Sequence, residues 1–407
     1  MSGSKTFIAA LLSAALMVSA CAAPRVSPVS GRRPPSLVKL SPSETPDIGD
    51  GYDPLTLAEA VKNSITYYSK VPPLKKFSFG TDTYTASEML ASLSGFYEFL
   101  RSGPSRKLVS RYIREHFDVY ASTGLDGSGS VLFTGYYTPE VPAKGEPDEF
   151  YKYPVYALPK YAVTAELGLF KEKYRGERLI GMVKEGRFVP FFTREDIEQG
   201  ALKGGGLEIA WCKDPVDIFF LQVQGSGVLI YPDGTRKNLD YSGTNGRPYR
   251  SIGKLLIERG KASVNDMSLK FLQDYLHAHP DEAGEIMGHD ESYVFFRLSD
   301  AGPTGCLGGP VTPGRSIATD GLVFPAGAPA FIQTEIPVRG ANGAINWERY
   351  DSLVMNQDTG GAIKGPGRVD IYFGGGEEAE LRAGYMRRTG RLYFLAPVAI
   401  PAKAGLH

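Results

Sequence analysis

The spacing of apolar and polar positions divides the chain into stretches of different character. Behind Lys5, Phe7 to Val18 is almost wholly apolar. The run is too short for a comfortable membrane span and ends in small residues, which predicts an export signal over 1–20. From 22 to about 51 the apolar positions thin out among proline, serine and small residues, the pattern of a tether with little to pack. A helical period then predicts amphipathic helices over Leu55 to Tyr68, Ala86 to Leu100 and Arg106 to His116. Phe96, Tyr97 and Tyr112 fall on these helices and read as core.

Near Val131 the period shortens. Phe133 to Thr138, Tyr153 to Leu158, Phe188 to Thr193, Leu207 to Trp211 and Ile218 to Tyr231 read as strands separated by glycine and proline. Tyr136 and Tyr137 must then point to opposite faces, so that one of them reaches solvent or ligand. Phe219 to Gln224 alternates apolar and amide residues, which predicts a half-buried strand with Gln222 and Gln224 on one face and Leu221 and Val223 on the other. Gly225-Ser226-Gly227 ends it. A polar, aromatic loop over 241–249 leads into a helix from about Tyr249 to Arg259, with further helices near Ser268 to His277 and Glu282 to Met287. Strand signals return at Ser292 to Leu298, Ile317 to Asp320, Ala330 to Ile336, Tyr350 to Met355, Val369 to Phe373 and Arg391 to Phe394. The result is a mainly β chain with flanking helices, an antiparallel barrel or sandwich.

Composition adds limits to this picture. A chain of 407 residues favours two domains over one. With 45 basic and 45 acidic residues, nothing steers it toward nucleic acid or another polyanion. The 23 tyrosines suit a sugar-binding cleft and equally suit ordinary strands. Val18-Ser19-Ala20-Cys21 resembles a bacterial lipobox, which makes Cys21 a lipidation site and the anchor to a membrane. Cys212 and Cys306 remain, and an exported chain could pair them. The five histidines lack metal-ligand spacing, so neither a metal nor a cofactor is expected. No serine sits in a nucleophile motif.

Chemistry therefore falls to carboxylates. Asp358 and Asp370 lie twelve residues apart on either side of a glycine-rich turn within 356–376. A tight hairpin with aspartates capping its turns would look the same. Asp358-Thr359-Gly360 is the tripeptide of aspartic proteases, but no second copy exists and no apolar strand leads into it. Glycosidic cleavage fits acid-only chemistry better. One aspartate suffices where the sugar supplies its own nucleophile, as N-acetylmuramic acid can through its C6 hydroxyl.

The segments SIATD (316–320), QDTGGAIKG (357–365), VDIYFG (369–374), GYYTP (135–139), QVQGSG (222–227) and YRSIGK (249–254) together resemble the membrane-bound lytic murein transglycosylase A family. The likeness runs from roughly residue 90 to the end. Its C-terminal part resembles the module named for three aspartates, here Asp320, Asp358 and Asp370. The resemblance implies a double-psi β-barrel built from 52–150 and 296–407, a smaller β domain inserted at 151–295, and a glycan groove between them. It further implies that Asp370 is the single general acid and base, with Asp358 its neighbour and Asp320 in support. An acid role requires Asp370 to begin protonated, and Asp358 is the carboxylate expected to hold it so. Candidate substrate contacts are Tyr137, Thr138, Gln222, Gln224, Ser226 and Tyr249. The spacing of Asp358 and Asp370 is one residue longer than the family pattern, which places the departure in the turn 365–368. The implied partners are peptidoglycan strands and, through Cys21, the periplasmic face of a Gram-negative outer membrane. A hydrolytic muramidase and a non-catalytic wall-binding lipoprotein are the alternatives.

Overall fold

A computed structural model of the chain describes residues 35–49, 53–264 and 266–398. The export signal, Cys21 and half of the tether lie outside the described residues; the described half does pack, correcting the expected tether, since Leu37–Lys39 pairs with residues 120–122 and Leu37 and Ile48 are buried in the core. The helix Pro54–Lys70 starts where Asp53 accepts a bond from the Leu55 N–H and Pro54 fixes the first turn, and it buries Leu57, Val61 and Tyr68. The helix Ala86–Arg101 begins with a reciprocal Thr85–Glu88 capping box and buries Met89, Leu93, Phe96 and Leu100. With Arg106–His116 they match the expected helices and pack on the first sheet.

That sheet has eight strands: Leu37–Lys39, Phe117–Ser122, Val131–Thr138, Ser316–Thr319, Pro329–Arg339, Ile345–Thr359, Arg368–Gly375 and Arg387–Pro397. The last strand pairs with Pro329–Arg339 along one edge. Along its other edge it pairs first with Val131–Thr138 and then with Phe117–Ser122. This double pairing closes six of the strands into a ring. Two pairs in the ring are parallel, Ser316–Thr319 with Ile345–Thr359 and Arg368–Gly375 with Val131–Thr138. The purely antiparallel expectation is corrected there, because alternation along one strand carries no record of its neighbour's direction. Phe133, Ile317, Val369 and Ile371 are fully buried on one face of these strands.

The second sheet consists of Glu140–Lys144, Tyr153–Tyr156, Glu208–Cys212, Gly227–Ile230, Arg236–Thr244 and Val294–Ser299. A bridge between Ala157 and Phe296 joins its two edges into a small barrel. The chain changes sheets at Pro139, between Thr138, which pairs with Gly375, and Glu140, which pairs with Val228. Proline has no N–H, so the first ladder stops there, while its carbonyl accepts from Val228 N at 2.8 Å and begins the next. The crossing thus falls at 139, not at the expected 150, and the return follows Ser299 rather than 295. Cys212 is buried in this second sheet and Cys306 lies on an exposed loop, both as free thiols.

The expected strand through Gln222 and Gln224 is instead the helix Pro215–Gln224, and the strand begins only at Gly227. Asp214 caps the helix through Val216 N, Pro215 opens it, and Gly225 ends it at φ +78° in the left-handed region. Val216, Phe219 and Phe220 pack against neighbouring helices, whereas Ile218 and Leu221 pack on the second sheet. A helix buried on several sides has no clear polar stripe, so its pattern passes for strand alternation.

Both amides consequently serve the fold. Gln222 is 4% exposed and accepts a bond from Arg194, itself 2% exposed. Arg194 also donates to the carbonyls of Asp290 and Ser292 and lies over the Phe219 ring. Gln224 Oε1 accepts from Tyr137 N at 2.9 Å, fastening this helix to the first sheet. Replacing Gln222 with alanine leaves the buried guanidinium short of an acceptor, and urea denaturation should register a loss of about 1–3 kcal/mol.

Candidate active site

The site is assembled by the shortest strand of the ring. Ala318, in Ser316–Thr319, lies in register with Asp358 on one side and Asp370 on the other, and Asp370 in turn with Thr134. Residues in register point to the same face, so Asp358, Ala318, Asp370 and Thr134 form a row across four strands. Strand spacing places the two aspartate backbones about 10 Å apart with only a methyl group between them. The row depends on a bulge. Ile317 pairs with Asn356 but Ala318 pairs with Asp358, which leaves Gln357 as the extra residue. Without that bulge Gln357 would stand opposite Ala318; the extra residue re-aims the strand and presents the acid instead.

Buried amides fix the approach to Asp358. Asn356 donates to Pro325 O and accepts from Thr319, while Gln357 donates to Ala60 O and Ser64 Oγ and accepts from Ser316. The Asp358 carboxylate accepts from Thr359 N at 2.9 Å, Cys306 N at 3.0 Å and the Tyr136 hydroxyl at 3.0 Å. Its side chain keeps some exposure but is crowded by protein, and burial pushes its carboxyl up to about 6. The three donors oppose that rise and the neighbouring Asp370 carboxylate adds to it.

Asp370 has different company. Its Oδ1 accepts from the Thr134 hydroxyl and from Arg368 Nε, the latter at 3.3 Å. The Arg368 guanidinium also donates to Ala362 O at 3.2 Å and reaches Thr134 Oγ1 at 3.4 Å. Burial thus acts on the carboxyl of Asp358, the acid expected to stand beside the proton donor. Asp320, 8% exposed, accepts from Leu322 N and from Gly365 N at 2.8 Å. It holds the glycine turn to the end of its own strand. Gly365 adopts φ +74°, which favours glycine, and a Cβ on Gly367 would meet the Leu125 backbone at 2.7 Å.

The tyrosine on the aspartate face is Tyr136, not the expected Tyr137. Its ring lies 5.1 Å from that of Tyr372, whose hydroxyl bonds Thr138 Oγ1 at 2.7 Å. Tyr137 points the other way and packs on Ala379 and Ala383. Thr138 is buried. Ser226 is half-buried in the turn after the Gln224 helix. Tyr249 is 43% exposed, and partial burial raises its phenol above the ordinary value. Of the expected substrate contacts, Gln222 and Gln224 hold the fold through Arg194 and the Tyr137 N–H. Parity with Thr134 would have singled out Tyr136, had the parallel pairing of the two strands been readable. Among the described residues, Asp214, Asp217 and His277 have ligand atoms within 4.8 Å of one another, away from the row. Asp214 is already committed to its helix cap and to His277 Nε2 at 3.0 Å.

Residues 132–297 match the model of the MltA specific insert domain, and residues 315–396 that of the 3D domain. A membrane-bound lytic murein transglycosylase A of Vibrio cholerae is 37% identical over 285 residues, 69% of this chain and 69% of that one. The chain belongs to the membrane-bound lytic murein transglycosylase A family. Among solved structures of this family, the membrane-bound lytic murein transglycosylase of Agrobacterium tumefaciens superposes with a TM-score of 0.74 at 30% identity, covering 89% of this chain and 98% of that one. Escherichia coli MltA with bound chitohexaose gives a TM-score of 0.68 at 28% identity over 90% and 95% of the two chains.

The Asp358 environment has a sign that can be checked. A carboxyl whose value rises from 3.8 to about 6 on folding binds more protons in the folded state across that window, so its contribution to stability falls as pH rises through it. Asp358→Asn escapes the penalty while keeping an oxygen for the two backbone N–H groups. Relative to wild type, the variant should gain about 1–2 kcal/mol by pH 8, allowing for partial exposure, and almost nothing at pH 4. Denaturant titrations at the two pH values measure the difference.

Proposed function

We propose that this chain is a lytic transglycosylase that cleaves the β-1,4 bond between N-acetylmuramic acid and N-acetylglucosamine in peptidoglycan without water, leaving 1,6-anhydromuramic ends. The observation that carries this reading is the row Thr134, Asp370, Ala318, Asp358 in a chain of this family. Acids, hydroxyls and one guanidinium converge there. Histidine has no part in the row.

In the reaction, Asp370 gives its proton to the glycosidic oxygen as the C1–O bond breaks. The positive charge that develops at C1 is met by the carboxylate. The C6 hydroxyl oxygen of the same sugar then bonds to C1, and its proton returns to Asp370, so no water is consumed. Asp358 steadies this exchange from across Ala318, and the Asp320–Gly365 bond keeps the turn before Asp370 in place. One observation favours a second assignment, with Asp358 as the proton donor, since it is the carboxyl pushed up to about 6. The ring, drawn from residues up to 138 and from 316 onward with two parallel pairs, supports a double-psi barrel in two pieces with a smaller domain inserted between them.

The chain acts from a membrane surface, anchored through lipid on Cys21 and facing the periplasm from the outer membrane. No helix among the described residues is long and apolar enough to cross a membrane. Labelled fatty acid should enter the wild-type chain expressed in a Gram-negative host, and Cys21→Ser should abolish the label.

Mass spectrometry of digested sacculi tests the reaction. Wild type should release anhydromuropeptides, one water lighter than reducing ends, and Asp370→Asn should lower the rate at least about 10²-fold. A larger loss in Asp358→Asn than in Asp370→Asn would transfer the donor role to Asp358. Reducing ends from wild type would establish a muramidase, and undiminished sacculi a binding protein.

A further inference from the structure

On the side of Val131–Thr138 to which Tyr137 points, the protein encloses a cavity of about 250 Å³. That is below the roughly 300–1,000 Å³ of drug-sized sites and suits a single side chain or a small metabolite. Three helices wall it, Pro215–Gln224, Leu269–Ala278 and Glu377–Tyr385. Four of the lining residues are acids and none is basic, although the whole chain is balanced in charge. Two of these acids have cations of their own, Glu140 in Arg236 at 2.5 Å and Glu377 in Arg339 at 2.9 Å. Among the described residues no ion pair reaches Asp217 or Glu380. His277, with its ring nitrogen within 4.8 Å of the Asp217 carboxylate, bonds Asp214 instead.

A buried hydroxyl faces the same space. Tyr137 is 4% exposed, and its hydroxyl approaches Glu380 Oε1 and Gln273 Nε2 only at 3.5 Å each. Full hydrogen bonds of these kinds measure about 2.5–3.2 Å, so the phenol stands in the cavity without a proper partner. Phe220 and Pro139 form an apolar wall beside it. A bare metal ion would leave that wall in water, whereas a methylene chain covers it and carries a charge to the acids. Burial holds the Asp217 carboxyl above its ordinary range, a cost that an adjacent cation offsets.

We propose that this cavity binds a primary ammonium on an unbranched aliphatic chain, the chain lying on Phe220 and Pro139 and the ammonium shared by Asp217, Glu380 and the Tyr137 hydroxyl. An ammonium has three donors and no acceptor, one donor for each of these oxygens. A lysine side chain and a free diamine both carry the group. A carboxylate on the carbon that bears the amine, as in a free amino acid, would be repelled by the two acids. The inference does not rest on the cleavage chemistry, because Tyr137 faces away from the aspartate row. Helix Pro215–Gln224 packs on the second sheet and Glu377–Tyr385 on Tyr137 of the first, so a bound ammonium also ties the two sheets together.

Calorimetric or NMR titration with pentylamine and pentanol, equal in chain length, tests this. Pentylamine should bind saturably and at least tenfold more tightly than pentanol. Asp217→Asn should weaken pentylamine at least fivefold, and so should Glu380→Gln, an exposed position where folding does not depend on the charge. Glu378→Gln, on the same helix but outside the cavity and paired with Arg382, should keep the wild-type affinity. Absence of saturable binding, equal affinity for amine and alcohol, undiminished binding in either cavity variant, or a fivefold loss in Glu378→Gln would each overturn the proposal. So would calcium or zinc chloride, if the metal bound more tightly than pentylamine and displaced it. Nα-acetyllysine amide and 1,5-diaminopentane separate the two sources, the tighter of them pointing to a peptide or to a free diamine.

Discussion

The double pairing of Ser316–Thr319 is the constraint on which the site depends. Four residues, all buried, hydrogen-bond in parallel to the strand of Asp358 and antiparallel to the strand of Asp370. Both acids then take their position from one residue, Ala318. Its side chains secure the register as firmly as its backbone: Ser316 bonds Gln357 at 2.6 Å and Thr319 bonds Asn356 at 2.8 Å. A slip of one residue in Arg368–Gly375 would turn Asp370 toward the core face of Phe133 and Ile317 and turn Val369 and Ile371 out of it, so the register is specified by the core and not by the site.

The two acids are chemically distinct although they share a row. Asp358 is served by neutral donors, two backbone N–H groups and a phenol, in a crowded position where charge is costly. Asp370 is served by a hydroxyl and a cation. Such asymmetry is how one pair of like residues divides acid, base and electrostatic roles. Asp320 shows the contrast within the same motif. Both of its oxygens accept backbone N–H groups, so the third aspartate shapes a turn that the other two rely on.

The sequence disclosed periodic structure well and neighbour relations poorly. The N-terminal helices, with Asp53 and the Thr85–Glu88 box at their starts, were legible because their buried faces repeat at helical spacing. The strands of Asp320, Asp358 and Asp370 were legible from short apolar runs between glycines. Pro215–Gln224 was not, since a helix surrounded by other helices and a sheet has almost no polar face to reveal its period. Choosing Tyr137 over Tyr136 failed for a different reason. Either parity satisfies an isolated strand, and only the parallel partner Arg368–Gly375 decides which tyrosine shares a face with Asp370.

What the fold adds is a connection between recognition and chemistry through backbone rather than through flexible side chains. The strand bearing Thr134 and Tyr136 runs through Pro139 directly into the second sheet, and Gln224 of the following helix bonds the Tyr137 N–H two residues before that crossing. The loop that carries Tyr249 is held to the same sheet system: Asn245 bonds the Phe192 and Glu291 carbonyls, and Asp290 accepts from Arg250 N. Each wall of the site is thus anchored by buried polar groups with few alternatives to their present partners. Arg368, 34% exposed, is the more open member of its pair with Asp370. A row held in this way keeps both carboxylates in fixed register, which is what placing an acid to within a fraction of an ångström requires.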